Sequence, residues 1–254
     1  GAERGCVDVA KAVVDAGGTA LVASSGGGMV RDLDRAGARH FNIPVHSKNP
    51  LRMRANVSKL MSIIREFGVD IVHARSRAPA WSCLKACQKT KAHFITTFHG
   101  TYNITSGLKR RYNAIMTQGE RVIAISGFIA KHVTTEYETD PARIRIIHRG
   151  VDVERFDPAA VPAVRIVQLA EQWRLPDGVP VILMPGRLTR WKGQAVLIEA
   201  MAAMKDLDFR CLLVGGDQGR TGYRQELITM VKGLDLESKV HFVGHCEDMP
   251  AAYM

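Results

Sequence analysis

The sequence predicts an α/β protein built from parallel sheets with helices on both faces. Short apolar runs, such as Thr19–Ser24 and Val179–Met184, alternate along the chain with amphipathic stretches, such as Leu51–Phe67. Strand–helix–strand alternation of this kind joins parallel strands and covers both faces of their sheet. No apolar run approaches the roughly 20 residues that a membrane-spanning helix needs. We therefore expect a globular α/β protein.

The alternation is interrupted once, near residues 156–175. Phe156-Asp-Pro158 breaks the pattern, a polar helix leads to Trp173, and a second series of strands and helices begins at Val179. The chain of 254 residues is long enough for two modest domains with separate cores. We predict one domain over residues 1–160 and a second over residues 175–254.

The cysteines give no evidence of a metal site. Five are present, an odd number at irregular spacing. Cys83 and Cys87 lie one helical turn apart, but no second Cys/His pair completes a zinc site, so buried apolar thiols are the simpler interpretation. We expect no metal, no cofactor and a reducing, cytoplasmic setting.

The positive charge of the chain is concentrated in one region. The net charge is +10, and the segment from Arg31 to Arg111 holds 16 Lys/Arg against 4 Asp/Glu. Such a field favours an anionic partner, namely nucleic acid, an anionic membrane or a phosphorylated substrate, although a solvated basic face is the plain alternative. Few aromatic residues are interleaved with the basic ones, which argues against nucleic acid.

Ligands of open parallel sheets bind beyond the carboxyl ends of the strands. The segments that follow predicted strands are therefore the first places to look for a site. They are residues 26–28, 73–77, 99–103, 126, 149–152, 186–192, 215–216 and 244–245.

The strongest local signal is the loop from Pro185 to Gly193. A strand ends at Gly186, three cations follow at Arg187, Arg190 and Lys192, and a helix begins directly afterwards. Arginine binds two phosphate oxygens, lysine adds a point charge, and a helix N-terminus adds partial positive charge. The loop thus predicts a diphosphate cradle, and it is neither a Walker loop nor a dinucleotide Gly-x-Gly-x-x-Gly turn.

An ordered set of short segments runs along the chain. Gly186-Arg-Leu, Lys192-Gly and the helix Val196-Leu-Ile-Glu-Ala200 resemble the nucleotide-sugar loop of glycosyltransferase family 4. Val122-Ile-Ala-Ile-Ser126 and Gly150-Val-Asp resemble the stretch before its domain boundary, and Thr97-Phe-His-Gly100 resembles its acceptor-side histidine loop. Shorter motifs, such as Ser47-Lys-Asn-Pro50, resemble those of bacterial members that build lipopolysaccharide core or similar envelope glycans.

The resemblance implies a GT-B fold, with two Rossmann-like domains and the donor between them. Arg187 and Lys192 would hold the donor diphosphate and stabilise the charge that grows on the leaving phosphate, without a metal. His99 would contact the transferred sugar and orient it. Transfer would retain the anomeric configuration, with the departing phosphate taking the acceptor proton.

The resemblance also implies a set of substrate-binding residues. Gly1 and Gly5 resemble the end of the family's first glycine-rich loop, and Gly100 would allow backbone to approach the substrate. The remaining expected contacts follow strands. They are Ser126, Gly186, Gly216, Gly244 and His245.

Three features depart from the family pattern. Arg149 stands where members commonly carry Asn before Gly-Val-Asp. The downstream motif of two glutamates spaced by seven residues has no counterpart, and the chain opens without Met. We expect a piece of a longer protein cut at both ends, with the first strand of domain 1–160 missing.

The expected function is transfer of a sugar from a UDP-type nucleotide-sugar to a glycan or lipid-linked anionic acceptor, in synthesis of bacterial envelope polysaccharide or lipopolysaccharide. We expect peripheral contact with the anionic inner face of the cytoplasmic membrane. Two alternatives stay open. One is a nucleotide-sugar 2-epimerase of the same fold, and the other is a non-catalytic protein that binds a nucleotide-sugar or nucleic acid. A donor-hydrolysis assay set against a salt-dependent RNA shift assay separates transfer from nucleic-acid binding.

Overall fold

A computed structural model describes residues 2–254, which form two compact units. The described residues up to Gly150 make the first unit, and Val151–Met254 make the second. The sequence-based partition left residues 161–174 between its two domains. In the structure, Val161 and Leu169 pack in a buried cluster with Ala251, so this segment belongs to the second unit.

The first unit contains two parallel sheets among its described residues. The smaller pairs β1 with β2, and the larger has the order β3-β4-β5-β6. The strands are β1 (Leu21–Ser24), β2 (Arg39–Asn42), β3 (Ile71–Ala74), β4 (His93–Phe98), β5 (Arg121–Ala124) and β6 (Ile144–Ile146).

Six helices cover these sheets in the described part of the first unit. They are α1 (Ala2–Asp15), α2 (Val30–Arg35), α3 (Pro50–Glu66), α4 (Arg77–Cys87), α5 (Gly107–Asn113) and α6 (Gly127–Tyr137). The longest, α3, begins where the Asn49 side chain accepts hydrogen bonds from two backbone N–H groups and Pro50 takes the first helical position. Its apolar stripe, Leu60 and Ile64 included, is buried in the core of the larger sheet.

The second unit has one parallel sheet in the order β7-β8-β9. Its strands are β7 (Val181–Pro185), β8 (Arg210–Val214) and β9 (Val240–Gly244), and its helices are α7 (Ala163–Gln172), α8 (Gln194–Ala203), α9 (Thr221–Gly233) and α10 (Met249–Tyr253). The central strand β8 is buried from Cys211 to Val214, as a strand covered on both faces must be. The predicted fold class, α/β with parallel sheets, is confirmed.

An ion pair joins α7 to the start of α10. The Arg165 guanidinium donates through Nε and Nη2 to the two carboxylate oxygens of Asp248, with the Nε bond at 2.8 Å. This bond and the attraction of Arg165 hold the pKa of the Asp248 carboxyl below its usual range. Asp248 also accepts from the Ala251 N–H, so the same carboxylate caps the short helix α10.

Four elements were not predicted from the sequence. They are α1, β2, α5 and α10. β2 is only four residues long and carries Arg, His and Asn, which weakens the apolar signal of a strand. Residues 2–5 were interpreted as the end of a glycine-rich loop, and this interpretation was wrong, because they form the first turns of α1.

Gly215 offers a test of how closely β7 and β8 approach at their ends. An ideal Cβ at Gly215 would clash with the carbonyl oxygen of Gly186, a residue whose N–H is bonded to Val214 O of β8. We predict that Gly215→Ala lowers the free energy of unfolding of the chain by about 2 kcal/mol or more. Urea unfolding followed by circular dichroism measures this.

The neighbouring Gly216 is the matched control, because its nearest heavy atom to an ideal Cβ is 4.0 Å away. We expect Gly216→Ala to leave the unfolding curve nearly unchanged. Equal destabilisation by both substitutions would contradict the packing argument.

Candidate functional site

Three loops meet at the carboxyl edge of the sheet in the second unit. They follow β7, β8 and β9, which lie side by side, and so they begin at the same edge. Two backbone hydrogen bonds tie the first two loops together: Gly186 N–H donates to Val214 O at 2.8 Å, and Leu188 N–H donates to Gly216 O at 3.1 Å. The predicted diphosphate cradle therefore has a fixed backbone.

The three predicted cations lie exposed on this loop, and Arg190 is paired with Glu226. Arg187 Nη1 donates to Gln218 Oε1 at 3.0 Å, which connects the loop after β7 to the loop after β8. The aliphatic stem of Lys192 passes Gly186, since Lys192 Cδ lies 3.8 Å from where a Gly186 Cβ would stand. Gly193 adopts φ 81°, which lets the chain turn from a single 3-10 turn at Arg190–Lys192 into α8.

Gln194 is a support that the sequence did not reveal. Its side chain is 1% exposed, and its Nε2 donates to the Arg187 carbonyl at 2.9 Å. This hydrogen bond from a buried side chain fixes the backbone of Arg187, and the Arg187 guanidinium stays exposed. The sequence feature that could have indicated this role is a polar residue, Gln194, at the first position of the apolar helix α8.

The other predicted residues of this unit lie at the same edge. Gly216 follows β8, and Gly244 ends β9 with φ 77°, so the chain turns there before exposed His245. The structure thus brings the strand-end glycines and the cations Arg187 and Lys192 to one side of the sheet.

In the first unit, His99 and Gly100 follow β4 directly. Both ring nitrogens of His99 are buried and have no hydrogen-bond partner within residues 2–254. No heavy atom lies within 4 Å of an ideal Cβ at Gly100, so open space adjoins the backbone beside His99. Ser126 caps α6, with its Oγ accepting from Ile129 N–H at 3.2 Å.

Two histidines at this edge are held neutral. Burial, followed by the positive charges of Arg75 and Arg149, lowers the pKa of His99 to about 4. Burial, followed by the effects of Arg75 and His99, also lowers the pKa of His73 to about 4. His73 Nε2 lies 2.6 Å from Thr97 Oγ1, which ties β3 to β4. Near neutral pH both rings are therefore uncharged.

Gly1 lies outside the described residues, and Gly5 lies in α1. An ideal Cβ at Gly5 would stand 3.0 Å from Nη2 of Arg75 and 3.0 Å from Nη2 of Arg149. Both arginines lie in strand-following segments, 73–77 and 149–152, that the sequence marks as places to look for a site, but neither was named individually as a site residue.

Among residues 2–254, no helix combines the length and the hydropathy that spanning a bilayer requires. No group of three or more His, Cys, Asp or Glu side chains there is arranged to hold a metal ion.

The lowered pKa of His99 predicts that the free energy of unfolding depends on pH. The folded pKa of His99, about 4, lies below the ordinary value of 6.5, so between these pH values the unfolded chain binds more protons. The free energy of unfolding should therefore fall as pH falls from about 6.5 to 4. We predict that His99→Asn loses less stability than wild type over this window, measured by urea unfolding at several pH values. An imidazole titration of His99 near 6.5 by NMR would contradict the prediction.

Comparison with known proteins places the chain in a family. Residues 1–155 match the profile of Glycosyltransferase Family 4, and residues 167–254 match that of Glycosyl transferases group 1. A D-inositol 3-phosphate glycosyltransferase of Salinispora tropica is 29% identical over 149 residues, which are 55% of this chain and 31% of that protein. The aligned region is thus about a third of this curated relative's length.

Solved structures cover nearly the whole chain. A glycosyltransferase of Rickettsia africae matches with a TM-score of 0.85 and 40% identity, over 99% of this chain and 66% of that one. The Anabaena protein Alr3699/HepE, in complex with UDP-glucose, matches with a TM-score of 0.82 and 23% identity, over 99% of this chain and 67% of that one. The match to the family profile over residues 1–155, more than half of the chain, shows that the chain belongs to glycosyltransferase family 4 and has its GT-B fold.

Proposed function

We propose that the complete protein transfers a sugar from a UDP-sugar to an acceptor hydroxyl with retention of anomeric configuration. The observation that carries the proposal is the loop Gly186–Lys192, which presents exposed Arg187 and Lys192 at the carboxyl edge of a parallel sheet in a chain of this family. Family members act on sugars, and HepE, which shares the fold, has been solved with UDP-glucose. Donor binding at this edge would need no metal, because arginine and lysine supply the positive charge.

The donor diphosphate would lie against Arg187 and Lys192, with Gly186, Gly216, Gly244 and His245 beside it. Negative charge grows on the leaving phosphate as its bond to the sugar breaks. Cations fixed beforehand stabilise that charge more in the transition state than in the bound donor. The bond from Gln218 to Arg187 and the stem of Lys192 over Gly186 supply this fixed geometry.

His99 is suited to orient the transferred sugar. A neutral imidazole offers one donor and one acceptor, and both ring nitrogens lack protein partners within residues 2–254. A pKa of about 4 makes His99 a weak base near neutral pH. We therefore assign the acceptor proton to the departing phosphate oxygen. The acceptor oxygen bonds to the anomeric carbon on the face from which the phosphate leaves.

We propose an anionic acceptor in bacterial envelope polysaccharide or lipopolysaccharide synthesis. The basic segment Arg31–Arg111 supports this charge preference. The curated relative is named for D-inositol 3-phosphate, a phosphorylated compound, which is consistent with an anionic acceptor. A glycan or lipid-linked acceptor at the inner face of the cytoplasmic membrane would meet the same basic surface.

The test uses the full-length protein with UDP-sugar donors and candidate phosphorylated glycan or lipid acceptors. We predict that Lys192→Ala lowers the turnover number by about 10²-fold, as expected for loss of one fixed charge stabiliser. Lys205→Ala, an exposed lysine beyond the other end of α8, is the control and should keep wild-type turnover.

The product distinguishes the competing functions. NMR of the new linkage should show the anomeric configuration of the donor. An inverted linkage would overturn the mechanism, and accumulation of a free 2-epimer without transfer would favour the epimerase. Wild-type turnover in a folded Lys192→Ala protein would remove this lysine from the site.

Membrane contact is a separate prediction. α5 carries Lys109 and Arg111 beside Leu108, which is 82% exposed, whereas Arg110 of the same helix is paired with Glu138. Each basic residue near an anionic surface contributes about 1 kcal/mol to binding. Sedimentation with vesicles should therefore increase with the fraction of anionic lipid and decrease with salt. Equal binding to neutral vesicles would contradict an electrostatic contact.

A further inference from the structure

An exposed aromatic ring lies within the loop that follows β7. Trp191 is 70% exposed, and it stands between Arg190 and Lys192 in a single 3-10 turn. Lys192 Nζ lies 4.7 Å from the centroid of the Trp191 ring. A cation within about 6 Å of an aromatic face is attracted by the negative charge of that face. The ring of Trp191 therefore attracts the ammonium group of the residue that follows it.

Arg190, the other neighbour of Trp191, is directed elsewhere. Its Nη2 lies 2.6 Å from Glu226 Oε2, and its Cζ lies 5.1 Å from the centroid of the Tyr223 ring. Both partners belong to α9, so Arg190 ties the loop to that helix. The carboxylate also compensates the charge of Arg190, which leaves little of it for an anionic ligand.

Arg187 and Lys192 have uncharged partners instead. Arg187 Nη1 donates to the amide oxygen of Gln218 at 3.0 Å, and the Lys192 ammonium lies against the Trp191 ring. Neither cation forms an ion pair with an acidic side chain in residues 2–254. An amide and an aromatic face restrict where a cation lies without cancelling its charge. The loop thereby keeps two full positive charges in place.

Lysine needs such a restraint more than arginine does. Its ammonium is a compact charge at the end of a flexible four-carbon stem, whereas the planar guanidinium of arginine is already preorganised. The Lys192 stem passes Gly186, with Cδ 3.8 Å from where a Gly186 Cβ would stand, and the Trp191 ring contacts the ammonium at its end. Stem and ammonium are thus both restrained.

We propose that Trp191 is a positioning residue, whose ring holds the Lys192 ammonium at the edge of the sheet where a diphosphate binds. The identity of this ligand rests on the proposed function, whereas the contact between ring and ammonium does not. A charge that is fixed before the ligand arrives binds it more strongly, because less rotamer freedom is lost on binding. Since the ring acts through Lys192, its removal should have no effect once Lys192 is absent.

The first measurement needs no ligand. Reductive methylation of the full chain with isotope-labelled formaldehyde places methyl groups on the lysine nitrogens, and Lys192→Ala identifies the signals of Lys192 by their loss. Protons above an aromatic face are shielded, so these NMR signals should lie upfield and move to ordinary positions in Trp191→Leu. Trp191→Phe keeps an aromatic face and should keep much of the upfield shift.

Lys239 is the internal control for this measurement. Its Nζ lies 5.0 Å from the centroid of the Phe209 ring, and both residues precede strands, at the amino edge of the same sheet. The Lys239 methyl signals should therefore have the same positions in wild type, Trp191→Leu and Trp191→Phe.

The second measurement is the affinity of the unmodified full chain for UDP, determined by calorimetry. We expect Trp191→Leu to weaken UDP binding about three- to fivefold, as for loss of one exposed cation–π contact. Trp191→Phe should bind UDP within about twofold of wild type, because the aromatic face is kept. In a Lys192→Ala background, Trp191→Leu should cause no further loss.

The outcomes separate this inference from the proposed function. If Lys192→Ala weakens UDP binding but Trp191→Leu does not, the role of Trp191 is overturned and the proposed donor site stands. If Lys192→Ala binds UDP as wild type does, the donor site is overturned, and the role of Trp191 with it. Equal losses from Trp191→Leu with and without Lys192 would mean that the ring contacts UDP directly, which also overturns the positioning role.

Discussion

Parallel pairing of strands is the constraint on which the rest of this structure depends. Each strand pair within residues 2–254 is parallel, so the chain returns after each strand through a helix and all strands of a sheet end at the same edge. The common direction of the strands alone therefore places residues that are far apart in sequence at one edge of the sheet. Arg75 and Arg149 meet beside Gly5 for this reason, and Arg187 meets Gln218 in the same way.

The cations at the carboxyl edges of the two units differ in their burial and in what they act on. At the second-unit edge the cations are exposed, and backbone hydrogen bonds and a buried Gln194 fix the loop beneath them. At the first-unit edge Arg75 is partly buried, and burial of His73 and His99, together with the charge of Arg75, lowers their pKa and keeps both rings neutral. A neutral imidazole can both donate and accept, which suits contact with sugar hydroxyls, whereas a protonated ring could only donate.

The sequence was sufficient for elements with a strong local signal. β4 was predicted with its observed limits, His93–Phe98, because aromatic and β-branched residues dominate it. The cap of α6 at Ser126 was also readable. β2 and α5 were missed because their short segments are rich in charged and polar residues, and only packing on a neighbouring strand or helix makes them regular. The Arg75–Arg149 pair was invisible for another reason: no local pattern reports a contact across 74 positions.

The ion pair between Arg165 and Asp248 means that α7 cannot complete its contacts until the end of the second unit has been synthesised. The two residues are 83 positions apart, so α7 leaves the ribosome long before the carboxylate that anchors it. Translation at about 5–20 residues per second leaves that helix without its partner for several seconds. Leu169 of this helix packs with Ala251 in the folded unit, so that contact also has to wait until residue 251 has been made. Nascent chains stalled before residue 248 should therefore be the ones that chaperones hold.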